Sequence, residues 1–496
     1  MVKCIFLILL ALTCCLSKTD SMQTYSLRFS KENRTELEKI LDHYQKDSEK
    51  LLAAQFLIEN MPYHFSIDEY YLDPNSNKYR PDLSIIKENK IQQHFDSLFS
   101  KGHKIVKEKR YDIETLDSAY LVNNIELAFS VWDKKWARNT SFEDFCKYIL
   151  PYRVQAEKAS NLRQYFRDRY LPLLEMADPK TPLEACLIIN QELMRTIQYD
   201  TSGGLGLYPS IEETYRTKKG ICDDLCILGI YIMRAVGIPV VMEQTTWVKG
   251  DRGHTWAAVL SNGKFYPFCP CSDQPRKYEW MFSERRMRKP AKVYRTHFEP
   301  VRTFNVKEDD GYVTYLKSPL LEDVTTEYPN QTINITVTTD KKTEKRKSLV
   351  YLCAYNQQHW EPFAIGHRNG KNCSFENIVG NNVFIIADSP NGTNLRFITV
   401  PFHVSPTGSI HKIIPDKSQK RNYTLKKLDG QWEYSHTLQY WDTQSEQFVS
   451  LQQVQETDST LTYNEIPRNA LLRFTIPIKC WDIRIFLIEN NSVKTY

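Results

Sequence analysis

Two short stretches of the chain carry the motif on which its interpretation rests. Residues 219–226 read Lys-Gly-Ile-Cys-Asp-Asp-Leu-Cys, and residues 253–256 read Gly-His-Thr-Trp. The first stretch opens an apolar helical pattern that a Gly-Ile-Pro sequence ends, which predicts a helix over 222–236. The second opens an apolar run over 255–260, which predicts a strand. We therefore expect a cysteine at the start of a helix and a histidine at the start of a strand.

These two residue types in these positions are suited to nucleophilic catalysis. The unpaired N–H groups and partial positive charge of a first helical turn favour the thiolate form of Cys222. A histidine such as His254 can take the thiol proton and later return it to a leaving amine. Gly220 permits close approach of the backbone just before Cys222. The sequence therefore predicts Cys222 as nucleophile and His254 as base and then acid.

The neighbouring sequence predicts a mixed α+β region over 183–300. An amphipathic pattern indicates a helix over 183–197, and an apolar run indicates a strand over 240–248. Asn262 and Gly263 form a strong hairpin signal, which joins the strand after His254 to the next one.

These motifs resemble the transglutaminase-like superfamily, which has the fold of papain-type cysteine hydrolases. The resemblance covers about 185–275 and rests on Gly-Ile-Cys at 220–222, Arg-Ala-Val-Gly-Ile-Pro at 234–239 and His-Thr-Trp-Ala-Ala-Val at 254–259. It implies hydrolysis of peptide or amide bonds through an acyl-enzyme on Cys222, with a peptide or protein as substrate. Hydrolysis is favoured over cross-linking because the resemblance is to the broad superfamily. It implies no cofactor and no metal.

The resemblance also implies an acid after the hairpin, and here the sequence departs from the family. The family's arrangement places an Asp where this chain has Cys269. A cysteine orients and stabilises an imidazolium poorly unless it is ionised. Asp273, four residues later, is the carboxylate that we assign as orienter of His254. The alternative is a catalytically inactive scaffold that binds peptide or glycan.

Several residues near the motif have a simpler structural interpretation. Cys222 itself could be an inert core thiol, and Cys226 lies on an apolar helix face and is expected in the core. Asp223 and Asp224 stand in the first helical turn, where the helix dipole favours acids. Trp256 is expected to pack beneath the strand.

The remaining cysteines leave two further alternatives open. Cys222, Cys226, His254, Cys269 and Cys271 include ligand types that zinc prefers, although the usual Cys-x2-Cys knuckle is missing. A disulfide from Cys226 to Cys269 or Cys271 is the other alternative in an oxidising compartment.

Aromatic residues and glycines are expected to border the cleft. The aromatic residues are Tyr208, Trp247, Trp256 and Tyr266. Gly203, Gly204 and Gly206 predict a loop beside the cleft, and no Lys-Ser/Thr follows them as a phosphate-binding loop would require.

The rest of the chain completes a multidomain α+β architecture. Lys-, Glu- and Leu-rich patterns predict a helical domain over 22–178. Short strand-like runs with turn signals predict a β-sandwich domain over 305–405 and a second sandwich-like domain over 412–496, which could contact glycans.

The first 17 residues predict export. A single lysine precedes a short apolar run and small residues, which is typical of a signal peptide and too short to span a bilayer. Leu-Thr-Cys-Cys at 12–15 also resembles a bacterial lipobox, so Cys15 is either lipidated or removed by cleavage nearby. The segment 120–153 is similar to regions that precede this domain in exported proteins of gut Bacteroidetes. We expect a periplasmic, cell-surface or secreted protein that contacts membrane only through a lipid anchor.

Composition excludes other classes. The chain has 496 residues, 41% of them hydrophobic, and a net charge of +5, which argues against disorder and against a nucleic-acid binder. The basic run at 341–347 is expected to be a solvated loop. Of 12 cysteines, nine remain outside the leader. An odd number predicts at least one free thiol.

Overall fold

The computed structural model describes most of the chain. The described residues are 25–82, 86, 90–200, 207–249, 253–276, 289–302, 310–329, 331–339, 341, 348–426, 437–457, 459–475, 485–489 and 492–496. The predicted leader with Cys15, the loop containing Gly203, Gly204 and Gly206, and residues 342–347 of the basic run lie outside them.

The chain divides into two compact units. The first comprises residues 1–243, 255–277 and 295–302. The second comprises residues 244–254, 278–294 and 303–496.

The α-helices of the described residues all lie in the first unit. They are α1 (Arg34–His43), α2 (Ser48–Asn60), α3 (Ile91–Ser100), α4 (Asp112–Thr115), α5 (Ser118–Trp132), α6 (Phe142–Tyr148), α7 (Arg163–Ala177), α8 (Pro182–Thr196), α9 (Ile211–Thr217) and α10 (Cys222–Ala235). The predicted helices at 183–197 and 222–236 are thus confirmed to within one residue at each end. None of these helices is long and apolar enough to cross a membrane.

The N-terminal region is helical as predicted, but it also contains a small antiparallel sheet that the sequence pattern did not reveal. Its strands are β1 (Phe65–Leu72), β2 (Lys78–Tyr79) and β3 (Lys104–Tyr111), in the order β2-β1-β3. The helical prediction for this region did not include these strands, and β3 is exposed along most of its length. Its Lys and Glu residues face solvent, so this strand has the same amino-acid composition as a solvated helix face.

Helix α10 is the centre of the first unit's core. Every residue from Asp224 to Ala235 is buried, and the helix packs against α7, α8 and α9. A helix that buries side chains on all sides needs other elements around it. Gly237, with φ of +79°, ends α10, and a Cβ there would lie 2.8 Å from the carbonyl oxygen of Val131. The predicted Gly stop is therefore required by both conformation and space.

The strands that follow the helices form short pairings and a six-stranded sheet. They are β4 (Gln198–Tyr199), β5 (Lys219–Gly220), β6 (Val240–Lys249), β7 (Gly253–Ser261), β8 (Lys264–Phe268), β9 (Lys289–Pro290), β10 (Tyr294–Thr296) and β11 (Leu321–Asp323). β4 and β5 pair in parallel, and the larger sheet runs β11-β10-β6-β7-β8, with β9 beside β6.

The predicted hairpin is present. Ser261 pairs with Lys264, and the two turn residues Asn262 and Gly263 have φ of +52° and +70°. Positive φ at both positions is the signature of the type I′ turn that Asn-Gly favours.

The C-terminal region consists of β-sheets, as predicted. Its strands are β12 (Thr332–Thr338), β13 (Leu349–Asn356), β14 (His359–Asn369), β15 (Asn372–Val379), β16 (Asn382–Asp388), β17 (Arg396–Phe397), β18 (Phe402–Val404), β19 (Ile410–Lys412), β20 (Asp416–Lys426), β21 (Thr437–Asp442), β22 (Gln447–Ser450), β23 (Gln453–Glu456), β24 (Thr460–Arg468), β25 (Leu472–Thr475), β26 (Phe486–Glu489) and β27 (Ser492–Thr495).

These strands form one curled sheet followed by two facing sheets. The first has eight strands, and its core unites Ile335 of β12 with Val404 of β18, so the sheet curls toward closure. The last two sheets have the orders β20-β24-β23 and β22-β21-β25-β26-β27. Tyr463 and Phe486 share one apolar cluster between them, as in a sandwich.

Candidate active site

A helix cap and close backbone contacts fix the start of α10. The N–H of Ile221 donates to the carboxylate of Asp224 at 3.0 Å, which caps the helix. A Cβ on Gly220 would lie 2.7 Å from the Cβ of Asp224, so only glycine fits beside this cap. The carbonyl of Gly220 also accepts from the N–H of Asp200 at 3.0 Å. Cys222 is thus held as the first helical residue.

Asp224 therefore caps the helix, in agreement with the structural role predicted from its position in the first turn. Burial is the main reason why the pKa of Asp224 rises to about 6, and the Ile221 N–H opposes that rise. Asp223, next to it, accepts a hydrogen bond from the hydroxyl of Thr255. The two acids thus tie the helix start to its own lead-in segment and to β7.

The thiol of Cys222 is partly buried, and its surroundings disfavour the thiolate form in the resting protein. Burial raises its pKa to about 11, and the negative charge of Asp223 adds to this effect. Hydrogen bonds from the backbone N–H groups of Thr255 and Asp223 act in the opposite direction. Since the Thr255 hydroxyl donates to Asp223, the beginning of β7 lies against the first turn of α10.

His254 is the residue immediately before Thr255 and stands at the start of β7, as predicted. Its half-buried ring stacks on the indole of Trp247, with 5.9 Å between centroids and 19° between planes. A Cβ on the preceding Gly253 would lie 2.7 Å from the carbonyl oxygen of Thr245. Glycine is thus required where β7 begins.

Beneath β7 lies a buried ion pair that sequence reasoning missed. Trp256 is fully buried, as predicted, and its indole N–H donates to Glu243 at 2.9 Å. Glu243 is also fully buried and accepts from the guanidinium of Arg295 at 2.6 and 2.9 Å. The only sequence signal was a glutamate in the middle of the apolar β6 pattern. A buried acid requires a cationic or donor partner.

The segment after β8 carries the two candidates for the acid position. Cys269 directly follows the strand, and its carbonyl accepts from the N–H groups of Ser272 and Asp273 at 3.0 and 2.9 Å. The buried amide of Asn190, on α8, accepts from the N–H of Cys271 at 3.0 Å and donates to the carbonyl of Asp273 at 2.8 Å. The backbone of Asp273 is thereby fixed against α8.

The cysteines near the site form a group of reduced thiols. Cys226 is fully buried, as predicted for a core residue, and its pKa lies well above the usual value because of burial. Cys222, Cys269 and Cys271 all lie within electrostatic range of it. Cys226 forms no disulfide with Cys269 or Cys271 in this structure. Among the described residues, no three His, Cys, Asp or Glu side chains are grouped to hold a metal ion.

Tyr208 borders the start of α10, where the sequence placed an aromatic residue of the cleft. Burial raises its pKa well above the usual value, with contributions from the negative charges of Asp223 and Asp224. Its hydroxyl donates to the side chain of Gln155 at 3.4 Å. These contacts place a phenol and an amide beside the helix start.

Comparison with known families finds a match over the segment that contains the starts of α10 and β7. Residues 174–270 match the family described as "Transglutaminase-like superfamily". The match contains α8, α10, β6, β7 and β8, and with them Cys222, His254 and Cys269. This part of the chain is a transglutaminase-like core, so the resemblance predicted from the motifs is confirmed here.

Particular solved structures are similar over parts of the chain, all at low identity. One is described as a "Putative Cysteine Protease from Cytophaga hutchinsonii" (18% identity over 23% of this chain and 39% of that one, TM-score 0.20). Another is a TGase (14% identity, 44% of this chain and 56% of that one, TM-score 0.18). A third is red sea bream transglutaminase (9% identity, 87% and 77%, TM-score 0.24). This chain thus spans 39% and 56% of the first two structures. No curated protein sequence matches the chain.

Proposed function

We propose that this protein is an exported cysteine hydrolase that cleaves peptide or amide bonds through an acyl-enzyme. The observation that carries the proposal is the hydrogen bond from the hydroxyl of Thr255 to the carboxylate of Asp223, the residue after Cys222. This contact brings the strand that begins with His254 to the first turn of the helix that begins with Cys222. The match to a transglutaminase-like core over the same residues supports it.

In this proposal the nucleophile is generated during the reaction. Because the pKa of the Cys222 thiol is raised to about 11, the sulfur is protonated at neutral pH. His254 takes this proton as the sulfur attacks the substrate carbonyl carbon, and a C–S bond forms. His254 then gives the proton to the leaving nitrogen as the C–N bond breaks. His254 then takes a proton from water as its oxygen bonds to the thioester carbon, and gives that proton to the sulfur as the C–S bond breaks.

Asp273 is the proposed orienter of His254, and Cys269 occupies the position where the family has its acid. Fixing the Asp273 backbone through Asn190 would limit the range of positions open to its carboxylate. A carboxylate beside the imidazole stabilises its charged form.

A second candidate function is favoured by two observations at the same site. Burial and Asp223 hold the Cys222 thiol in its protonated form, and a cysteine stands at the acid position. Both would suit a catalytically inactive scaffold that binds peptide or glycan. The β-sheets of the C-terminal region would then provide the binding surface.

Export and location complete the proposal. A leader over 1–17 would direct the protein to the periplasm, the cell surface or the medium, and lipidation of Cys15 would attach it to a membrane. Peptides or proteins of the cell envelope would be the substrates.

A screen of peptide and amide substrates with the wild type and Cys222→Ala tests the hydrolase proposal. We expect the substitution to reduce turnover at least about a thousandfold, because no other group replaces the nucleophile. Cys226→Ala is the matched control, since it removes a buried thiol one turn along the same helix. Turnover that survives Cys222→Ala, or no turnover by the wild type, would refute the proposal in favour of the scaffold.

A further inference from the structure

The first unit has a surface cavity that is lined by none of the residues of the proposed active site. Its volume is about 550 Å³, and it opens between the start of α7 and the end of α9. Tyr165 and Arg169 line it from α7, and Tyr215 and Lys218 line it from α9 and its C-cap.

The aromatic wall of this cavity is fixed by packing. The rings of Tyr165 and Tyr215 meet edge to face, with 5.8 Å between centroids, and their hydroxyls lie 3.4 Å apart. Tyr215 also packs on the buried Phe166 with 4.9 Å between centroids. Two phenol hydroxyls are thus held side by side at the cavity, where each can donate or accept a hydrogen bond.

Two cations of the lining have no carboxylate partner among the residues that the structure describes. The ammonium of Lys218 lies 3.1 Å from the ring centroid of Tyr215, and the guanidinium of Arg169 lies 5.6 Å from that of Tyr170. Burial lowers the pKa of Lys218, and the positive charge of Arg169 lowers it further. Both cations line the same cavity, so an anion between them would relieve the repulsion of their like charges.

The other charged groups of the lining are already engaged. Arg216 pairs with Asp82 at 2.9 and 3.1 Å, and Glu212 accepts from the hydroxyl of Ser160 at 2.5 Å. Glu212 adds one negative charge to the wall, which disfavours a dianion such as phosphate more strongly than a monoanion.

The backbone also holds one cation in place. Lys218 has φ of +57°, a left-handed conformation, and its N–H donates to the carbonyl of Thr214 at 3.0 Å. The residue ends α9 as its C-cap, so the helix end sets the direction in which its side chain leaves the backbone.

We infer that this cavity binds a carboxylate carried on an apolar or aromatic body. The carboxylate would lie between Lys218 and Arg169 and accept from the tyrosine hydroxyls, while the body would pack on the tyrosine rings. The carboxylate could belong to the C-terminus of a peptide or to an acidic side chain within one. This inference does not depend on hydrolysis at Cys222.

Calorimetric titration of the full chain carrying Cys222→Ala, which prevents cleavage, tests it with matched peptides. The probes are Ac-Ala-Ala-Phe as free acid, the same peptide as amide, and Ac-Ala-Glu-Phe-amide. We expect at least one carboxylate peptide to bind about tenfold more tightly than the neutral amide. Tighter binding of the free acid identifies a C-terminal carboxylate, and tighter binding of the Glu peptide identifies a side chain.

Substitutions assign the binding to this cavity. Lys218→Met and Arg169→Met should each weaken it about tenfold, and Lys218→Arg should preserve it. Arg167→Met is the matched control, because Arg167 stands on the same helix but bonds to Asp168 and Ser130. Thermal unfolding checks that each variant is folded. The inference would be overturned if the neutral amide bound equally well or if no peptide bound. It would also be overturned if equimolar inorganic phosphate displaced the peptide, or if folded Lys218→Met kept the wild-type affinity.

Discussion

At the scale of single residues, the site combines a well-placed cysteine with surroundings that oppose its ionisation. The helix start and two backbone N–H groups favour the thiolate of Cys222, yet burial and the charge of Asp223 outweigh them and raise its pKa to about 11. A hydrolase built in this way depends on proton transfer to His254 rather than on a resting thiolate. The rate would then depend on the residue at the acid position, because the imidazole must carry a positive charge during the reaction.

Restoring the family's acid should strengthen catalysis. We expect Cys269→Asp to raise kcat for a cleaved peptide at least tenfold, because a carboxylate stabilises the imidazolium better than a thiol does. Steady-state kinetics of the wild type and the variant at neutral pH measure the effect. Asp273→Asn is the comparison: it should lower kcat in the wild type and have less effect once Cys269→Asp is present. An unchanged or reduced kcat in folded Cys269→Asp would mean that His254 is not oriented from this position.

At the scale of elements, the strand that carries His254 rests on a buried charge pair. Glu243 of β6 accepts from Trp256 of β7 and from Arg295 of β10, so one carboxylate links three neighbouring strands. A buried ion pair contributes little net stability but is costly to break. The position of β7, and with it the geometry at Cys222, therefore depends on this carboxylate.

Removing the carboxylate should destabilise the fold. We expect Glu243→Ala to lower the free energy of unfolding by about 3–5 kcal/mol, because the Arg295 charge would stay buried without its acceptor. Glu243→Gln, which keeps an acceptor for the Trp256 indole, should cost less. Denaturant unfolding measures the change, with Glu38→Ala as control for an exposed pair, which joins Glu38 to Arg34 at 2.7 Å and should contribute less than about 1 kcal/mol. A loss below 1 kcal/mol in Glu243→Ala would contradict this role.

The sequence predicted those helix ends and turns that depend on residues close together in the chain. The helix from Cys222, its end at Gly237 and the Asn262–Gly263 hairpin were all readable, because a cap or turn needs a particular residue at a particular φ. The Glu243–Arg295 pair was not, since it joins residues 52 positions apart and depends on tertiary packing. The same holds for β3, whose composition fits a solvated helix or strand equally well.

At the scale of the whole molecule, the chain joins a helical first unit that contains most of the transglutaminase-like core to a β-rich second unit. Hydrophobic patterning predicted both classes of structure. The cavity between α7 and α9 could not be predicted, because its four main lining residues come from two segments whose proximity appears only in the folded protein. The motif at Cys222 predicted the candidate active site, whereas the cavity depends on how α7 and α9 pack.

The pH dependence of Cys222 alkylation tests the hydrolase proposal most directly. With a thiol pKa near 11, an unassisted thiol reacts slowly at neutral pH and about tenfold faster for each pH unit approaching that value. If His254 serves as base, iodoacetamide should modify wild-type Cys222 at neutral pH at least tenfold faster than such an unassisted thiol. Peptide mapping by mass spectrometry follows Cys222, with Cys373 of β15, whose pKa burial also raises to about 11, as reference thiol in the same sample.

The comparison with His254→Ala gives the decisive result. The proposal predicts that this variant loses at least tenfold in Cys222 alkylation rate at pH 7 and keeps only the rise toward pH 11. A wild-type profile that shows only the rise toward pH 11, unchanged by His254→Ala, would contradict it and identify Cys222 as an inert thiol.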